Sequence, residues 1–376
     1  MKIRYFDHAA TTPVREEVIK EVMPYFGMEY GNASVMYSLG RNARKAMNKA
    51  RERVAEALNA HSNEIYFTSC GSESDNLAIK GFVYANKDRG NHIITTKIEH
   101  HAVLDSCKTL EKQGFNVTYL GVDEYGRISL EELVNAINTK TILISIMFAN
   151  NEIGTIEPIE QIGKIAKEKN IVFHTDAVQA IGNELIDVKK LNIDMLSLSG
   201  HKFYAPKGVG ALYVKNGINF SKLQDGGAQE NGKRAGTENV AEIVGLGKAI
   251  ELIYNEYNSY NEKLKKLRDY YITRVTNEIK GAKVNGDMVN RLPGNANISF
   301  KGVNGTKLLF ELDKYGICAS AGSACSTSNA EPSHVLTVIG LDKDLIEGTL
   351  RISFGKENTI EDVDFLIDTL KKIINK

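Results

Sequence analysis

The sequence predicts an α/β protein whose larger part is a mostly parallel sheet with helices on both faces, followed by a smaller α+β unit. Short β-branched apolar runs alternate with amphipathic helical stretches as far as about residue 238. A long helical pattern rich in Lys, Glu and Tyr then occupies residues 238–280, and a shorter mixed region follows it. The length of 376 residues suits about two domains.

Each predicted element rests on its local pattern. Strands are expected where β-branched and aromatic residues concentrate, at 64–68, 92–95, 116–120, 142–148, 171–174, 195–198, 297–300 and 350–354. Helices are expected where apolar residues recur at helical spacing, at 72–87, 101–112, 158–169, 306–315 and 360–374, the first with Ser72 as its N-cap. Ligands of a parallel sheet bind beyond the carboxyl ends of its strands, so the candidate site lies in the loops there.

Composition excludes several functional classes. The chain holds 47 basic and 47 acidic residues, so it has no net positive charge that would attract a nucleic acid or a membrane surface. No apolar run approaches the ~18 residues of a spanning helix. The four cysteines have no C-x-x-C spacing and are too few for a disulfide framework. These features favour a reduced, cytoplasmic enzyme.

Two neighbouring strand ends carry the residues that pyridoxal phosphate chemistry needs. Lys202 follows the strand at 195–198, where desolvation can lower the pKa of an amine and make it a nucleophile, although a lone lysine is usually solvated. Asp176 follows the strand at 171–174 and is either a turn residue or the acidic partner of a protonated ring nitrogen. Gln179 is suited to the ring hydroxyl, and Ser199 and His201 to a phosphate.

Two further segments fit the same cofactor. Gly71 and Ser72 stand between a strand and a helix N-terminus, which is either an ordinary turn with a cap or an anion site. The pair His100 and His101 lacks the companions of a metal site. His100 is better interpreted as a flat ring over a cofactor that works in acid–base chemistry, and His101 as a residue at the start of a helix.

The last candidates lie near the C-terminal end. Cys325 stands in a run of small polar residues at 320–328, so an exposed, reactive thiol is favoured there, whereas the other three cysteines are interpreted as small buried apolar residues. Arg351 lies inside an apolar strand and needs a carboxylate. That carboxylate belongs either to an internal salt bridge or to an amino-acid substrate.

Taken together, the segments resemble the pyridoxal-phosphate cysteine desulfurases of the nitrogen-fixation and iron–sulfur-cluster type, a branch of the class V aminotransferase group. The resemblance runs essentially end to end and is carried by residues 5–12, 31–34, 67–76, 150–154, 174–179, 199–202, 234–239 and 323–332. One departure is visible, because Val35 and Tyr37 stand where many relatives have Ser and His. That departure concerns the local packing of the site and its fit to substrate.

The resemblance implies a role for each matching residue. Lys202 is the Schiff-base lysine, Cys325 the persulfide-forming cysteine and His100 the ring-stacking histidine. The implied cofactor-binding residues are Gly71, Ser72, His100, Asn151, Asp176, Gln179, Ser199, Gly200, His201, Lys202 and Thr237. The implied substrate-binding residues are Asn32, Asn151 and Arg351. No resident metal is implied, although Cys325 is expected to contact a cluster on a scaffold partner.

The resemblance also implies fold, activity and partners. The fold is that of aspartate aminotransferase (fold type I), with a large cofactor-binding domain at 14–255 and a small domain formed by 1–13 and 256–376. The activity converts L-cysteine to L-alanine and passes the sulfur through Cys325 to an iron–sulfur scaffold or another acceptor. A homodimer is implied, in which Thr237 reaches the phosphate of the neighbouring subunit. A selenocysteine lyase, an aminotransferase and a non-catalytic sulfur-assembly scaffold are the alternatives.

Overall fold

The computed structural model describes residues 2–321 and 332–374. Cys325 lies outside the described residues, so what the sequence predicts for it stays a prediction. The strands are β1 (Arg4–Tyr5), β2 (Ile65–Thr68), β3 (His92–Thr96), β4 (Asn116–Leu120), β5 (Thr141–Ser145), β6 (Val172–Asp176), β7 (Met195–Ser199), β8 (Gly210–Val214), β9 (Ala282–Asn285), β10 (Asn295–Phe300), β11 (Ile317–Cys318), β12 (Ser320–Ala321) and β13 (Thr349–Ser353).

The helices occupy most of the segments between these strands. They are α1 (Glu16–Val22), α2 (Pro24–Gly27), α3 (Ser38–Leu58), α4 (Gly71–Asn76), α5 (Phe82–Asn86), α6 (His101–Glu111), α7 (Leu130–Ala136), α8 (Ile159–Glu168), α9 (Val240–Asn255), α10 (Tyr257–Glu278), α11 (Gly305–Asp313), α12 (His334–Val338), α13 (Lys343–Glu347) and α14 (Ile360–Ile374). None of the helices in the described ranges is long and apolar enough to cross a membrane.

The large sheet has seven strands in the order β2-β8-β7-β6-β5-β3-β4. All neighbours are parallel except β8, which runs antiparallel to both β7 and β2. A parallel crossover needs a dozen or more residues, and the link from β7 to β8 is shorter than that, so β8 returns in the opposite direction. The mostly parallel sheet is as predicted, although the sequence analysis missed β8.

Both faces of this sheet are buried, because side chains alternate along each strand. Ile94 and Phe173 belong to a core shared with α3, α8 and α9. Their neighbours Ile93 and Val172 point the other way and belong to a core shared with α5 and α6. The carboxyl ends of the parallel strands therefore lie at one edge of the sheet, between two layers of helices.

The helix expected at 72–87 differs from the prediction in two ways. It begins one residue earlier, with Cys70 as its N-cap, so Ser72 lies inside its first turn. Glu73 Oε2 accepts the Ser69 N–H at 2.7 Å, which places a carboxylate at the positive end of the helix. The helix also widens to a π turn over Leu77–Gly81 before it continues as α5.

A second, smaller unit has its own core. Strands β12, β13, β10 and β9 form an antiparallel sheet, against which α10, α11 and α14 pack. Phe6, from the N-terminal segment, is fully buried among Tyr271, Ile298 and Phe354. The separate cores support the division into 14–255 and 1–13 with 256–376, which stays a prediction. Leu292, beyond residue 256, packs in the core of the large sheet.

Candidate active site

A pocket of about 330 Å³ lies at the carboxyl ends of β6 and β7, between the large sheet and the smaller unit. Most of the residues that sequence analysis selected are brought together there. The lining residues are Asp7, Ala9, Ala10, Cys70, Gly71, Ser72, Asp75, His100, Met147, Ala149, Asn151, Asp176, Val178, Gln179, Ser199, His201, Lys202, Ser320 and Arg351.

Lys202 reaches into the pocket from the short turn Gly200–Lys202 that follows β7. Its Nζ donates to the carbonyl oxygens of Ala9 and Ala10, both at 2.8 Å. Gln179 Nε2 donates to the same Ala9 oxygen at 3.0 Å. The N-terminal segment therefore crosses the pocket floor and orients the amine, a role that the sequence analysis did not assign to it.

Asp176 ends β6 and is only 6% exposed. Its Oδ1 accepts the Val178 N–H at 2.9 Å. Burial raises the pKa of this carboxyl, and any positive charge on His100 or Lys202 opposes the rise because it favours the carboxylate. A buried carboxylate held by its own backbone is well suited to pair with a cation that enters the pocket.

Asp75, on α4, is a second acid beside Asp176 that the sequence analysis missed. It is 1% exposed, and its Oδ1 is buried without a hydrogen-bond partner. Burial and then the charge of Asp176 raise its pKa well above the ordinary value. Behind it, burial lowers the pKa of His174 to about 3, and this neutral ring bridges Ser145 and Ser197 at 2.9 and 3.0 Å.

His100 is the N-cap of α6 and faces the pocket. Its Nδ1 accepts the Ala102 N–H at 3.1 Å, so the neutral ring carries its proton on Nε2. Desolvation lowers the pKa of the imidazole, and Asp176 opposes that shift. The ring is thereby held as a neutral donor, which is consistent with the stacking and proton-transfer role expected from the sequence.

The opposite end of the pocket is suited to an anion. A Cβ on Gly71 would lie 2.7 Å from Val178 Cγ2 and 3.3 Å from Ser199 Cβ, so the backbone packs here more closely than a side chain would allow. Ser72 and Ser199 bring hydroxyl groups. Burial, then Lys202, lowers the pKa of His201 to about 4, and its Nδ1 lies 3.2 Å from the Thr11 hydroxyl.

Arg351, on β13, closes the pocket from the side of the smaller unit. Its Nη2 donates to Asp7 Oδ1 at 2.8 Å and its Nη1 to the Asn151 carbonyl at 3.2 Å. These two contacts use two of the five N–H groups of the guanidinium, which leaves donor capacity for a ligand. The internal salt bridge and the carboxylate clamp, two alternatives from the sequence, are thus both compatible with this position.

These groups fit pyridoxal phosphate. The unpartnered Asp75 oxygen beside Asp176 suits a protonated ring nitrogen, and the hydroxyl groups of Ser72 and Ser199 beside Gly71 suit a phosphate. Among the described residues no cluster of His, Cys, Asp and Glu could hold a metal ion.

Four selected residues are not part of this pocket lining. Gly200 is buried behind it, against Ala205 and Val209. Asn32 and Thr237 are exposed. Cys325 lies outside the described residues.

The family profile described as "Aminotransferase class-V" matches residues 4–366. The chain therefore belongs to the class-V aminotransferase family. It is 58% identical to "Cysteine desulfurase IscS" of Clostridium botulinum (strain Hall) over 99% of this chain and 94% of that protein. A solved "NifS-like protein" has a TM-score of 0.94 at 39% identity, with full coverage of both chains. "SspA in complex with cysteine" has a TM-score of 0.84 at 40% identity, covering 95% of this chain and 100% of that one.

Within this family the particular activity is also clear. The protein is a cysteine desulfurase, and its cofactor is pyridoxal 5′-phosphate.

Proposed function

We propose that the enzyme binds L-cysteine through Arg351, breaks its Cβ–S bond and receives the sulfur on Cys325. The observation that carries this proposal is the convergence of Lys202, Asp176 and Arg351 in one pocket of about 330 Å³. The solved relative in complex with cysteine supports the identity of the substrate.

The proposed division of labour follows from the contacts in the pocket. Bound pyridoxal phosphate supplies an electron sink that weakens bonds at the α-carbon of an amino acid. Asp176 would pair with a protonated ring nitrogen, and Asp75, whose pKa burial and Asp176 raise, would lie beside it. Lys202 moves the α-proton, since its amine is oriented by the Ala9 and Ala10 carbonyls.

The sulfur step balances without an added oxidant. The Cys325 thiolate attacks the substrate sulfur, the carbon–sulfur bond breaks and a sulfur–sulfur bond forms. The electron pair of the broken bond stays with the carbon, which gains a proton and leaves as part of L-alanine. The enzyme keeps a persulfide, –S–SH, on Cys325. His100 is proposed to assist proton transfer in this step through Nε2, since its Nδ1 accepts the Ala102 N–H.

The described residues on either side of the segment that carries Cys325 lie at or next to residues that line the pocket. Ser320, before it, lines the pocket and donates to Asp7 Oδ2 at 2.8 Å. Ser333, after it, donates to Glu152 Oε2 at 2.6 Å, next to Asn151. Cys325 stands four positions after Ala321, so their Cα atoms cannot be more than about 14 Å apart. Chain connectivity therefore supports a thiol within reach of the substrate.

The proposed assembly is a cytoplasmic homodimer that delivers sulfur to an iron–sulfur scaffold protein or another thiol acceptor. Thr237 is exposed and outside the pocket of its own chain, as the proposed contact with the neighbouring phosphate requires. Large exposed apolar side chains near the N-terminus, among them Phe26, Met28 and Met36, support burial of this face in a dimer.

Mass spectrometry after brief exposure to L-cysteine tests the proposal. The peptide that contains Cys325 should gain one sulfur atom, and Cys325→Ala should lose both this mass gain and L-alanine formation. Cys318→Ala, a matched change of a partly exposed cysteine on β11, should keep both. Undiminished conversion of L-cysteine to L-alanine by Cys325→Ala would refute the assignment.

A further inference from the structure

Asp7 joins the guanidinium of Arg351 to the strand that leads toward Cys325. One carboxylate oxygen accepts Arg351 Nη2 at 2.8 Å, and the other accepts the Ser320 hydroxyl at 2.8 Å. All three residues line the pocket, and the side chains of Arg351 and Asp7 are only 9% and 16% exposed. Ser320 and Arg351 also face each other across paired strands β12 and β13.

The backbone on both sides of Asp7 is fixed to the end of β13. Ser353 N–H donates to the Phe6 carbonyl at 2.7 Å, and Ala9 N–H donates to the Ser353 hydroxyl at 2.8 Å. The Tyr5 hydroxyl donates to the carbonyl of Asp7 itself at 3.0 Å. The carboxylate therefore projects from a rigid support two residues along the strand from Arg351.

We propose that Asp7 is a positioning residue for substrate binding, which orients Arg351 toward the α-carboxylate of the incoming amino acid. The proposal rests on the proposed role of Arg351 as the carboxylate clamp. It adds that the clamp is preassembled by Asp7 before substrate arrives, and that Asp7 stays in place when substrate binds.

The hydrogen-bond geometry explains why Asp7 orients the guanidinium instead of competing with substrate for it. A guanidinium has five N–H donors, and Asp7 and the Asn151 carbonyl each take one. The pair with Asp7 is not bidentate, since the second Asp7 oxygen accepts the Ser320 hydroxyl instead. Among the described residues these two contacts leave three of the five N–H groups of Arg351 for a ligand. A substrate carboxylate can bind while Asp7 keeps its contact.

A pair of ligands that differ only by a carboxylate separates positioning from a general structural role. L-alanine and ethylamine are measured as competitive inhibitors of sulfide release from L-cysteine by the holoenzyme. In Asp7→Asn, binding of L-alanine should weaken by roughly tenfold to a hundredfold, the effect of losing one hydrogen bond between charged groups. Binding of ethylamine should change less than about twofold, within ordinary variation between surface variants.

Three further variants complete the experiment. Asp7→Glu keeps the charge and should recover part of the L-alanine affinity. Asp344→Asn removes an exposed acid and should leave both inhibition constants unchanged. Arg351→Ala should weaken L-alanine at least as much as Asp7→Asn does and leave ethylamine unchanged. If Arg351→Ala lacks this selectivity, the proposed clamp is wrong.

The remaining outcomes decide the inference itself. If Arg351→Ala is selective but Asp7→Asn affects L-alanine and ethylamine equally, Asp7 only supports the fold and the inference is overturned. Tighter L-alanine binding by Asp7→Asn would overturn it as well, because Asp7 would then be a competitor. Loss of L-alanine affinity alone, with the cofactor still bound, supports it.

Discussion

Two regions of the pocket, one around Asp176 and one around Arg351, differ in how their charges are arranged. Around Asp176 a second carboxyl, Asp75, is buried beside the first, and one of its oxygens has no partner. Around Arg351 the positive charge is already matched by Asp7, and each Asp7 oxygen has a partner. The two acids gain a cationic partner only when the protonated cofactor ring binds. Arg351, in contrast, already has its anionic partner before substrate binds. Cofactor binding and substrate recognition are thus prepared in opposite ways.

The largest effect on activity should come from replacing Asp176. Asp176→Asn keeps the shape of the side chain but cannot hold a proton on the ring nitrogen. The rate of sulfide release should fall by roughly 10²–10³-fold, the size seen when one preorganised electrostatic group is removed. The measurement is kcat normalised to bound cofactor, with Asp344→Asn as the exposed control. A kcat within about threefold of the parent enzyme, less than the loss of a single hydrogen bond, would contradict the role of Asp176.

Subunit mixing extends this experiment to the proposed dimer. Asp176→Asn subunits are inactive in their own sites but carry an intact Thr237. Combined with Thr237→Val subunits, they should form mixed dimers with one complete site, so activity should exceed the average of the two separate variants. Activity equal to that average would place Thr237 in the site of its own chain.

The next effect is on stability, and it tests whether the two buried acids interact. The pKa of Asp75 is raised in the folded protein by burial and by Asp176, so the folded state binds a proton more tightly than the unfolded chain does. Its contribution to stability is complete below the unfolded pKa near 3.8 and is lost as pH rises through the folded pKa. Asp75→Asn has no proton to lose.

Urea unfolding of the apoprotein, from the unfolded pKa of Asp75 near 3.8 upward, measures how the free energy of unfolding depends on pH in the parent protein and in Asp75→Asn. The free energy of unfolding of Asp75→Asn should decline less with rising pH than that of the parent protein. The gap should shrink in an Asp176→Asn background, because one cause of the raised pKa is then removed. Identical pH profiles of parent and Asp75→Asn would show that Asp75 is ionised in the fold.

Sequence reasoning located the residues whose role depends on local position. Lys202 and Asp176 each follow a buried strand, and the carboxyl ends of neighbouring parallel strands meet at one edge. Gly71 precedes a helix, and the geometry confirms that a side chain there would collide with Val178. These features are readable because strand ends, turns and helix starts have short-range signatures.

The residues that were missed depend on contacts between distant segments. Asp7 meets Arg351 across 344 positions of sequence, and no local pattern near either residue indicates the other. Asp75 was seen only as part of a helix start, and its burial beside Asp176 follows from the packing of α4 on the sheet. Strand β8 was also missed, although it pairs with the preceding strand β7 as well as with the distant β2.

The smallest effects should distinguish the two serines that flank residues 322–331. Ser320→Ala removes one hydrogen bond from Asp7, so L-alanine binding should weaken by about two- to fivefold, at little expense in stability. Ser333→Ala removes a bond to Glu152 and the N-cap of α12, so the free energy of unfolding should fall by about 1 kcal/mol while L-alanine binding stays unchanged. Inhibition constants and urea unfolding measure the two quantities. If both variants weaken L-alanine binding, the preassembled clamp includes Glu152 as well as Asp7. If only Ser320→Ala weakens L-alanine binding and only Ser333→Ala lowers the free energy of unfolding, then Ser320 alone of the two serines helps to position Arg351 through Asp7.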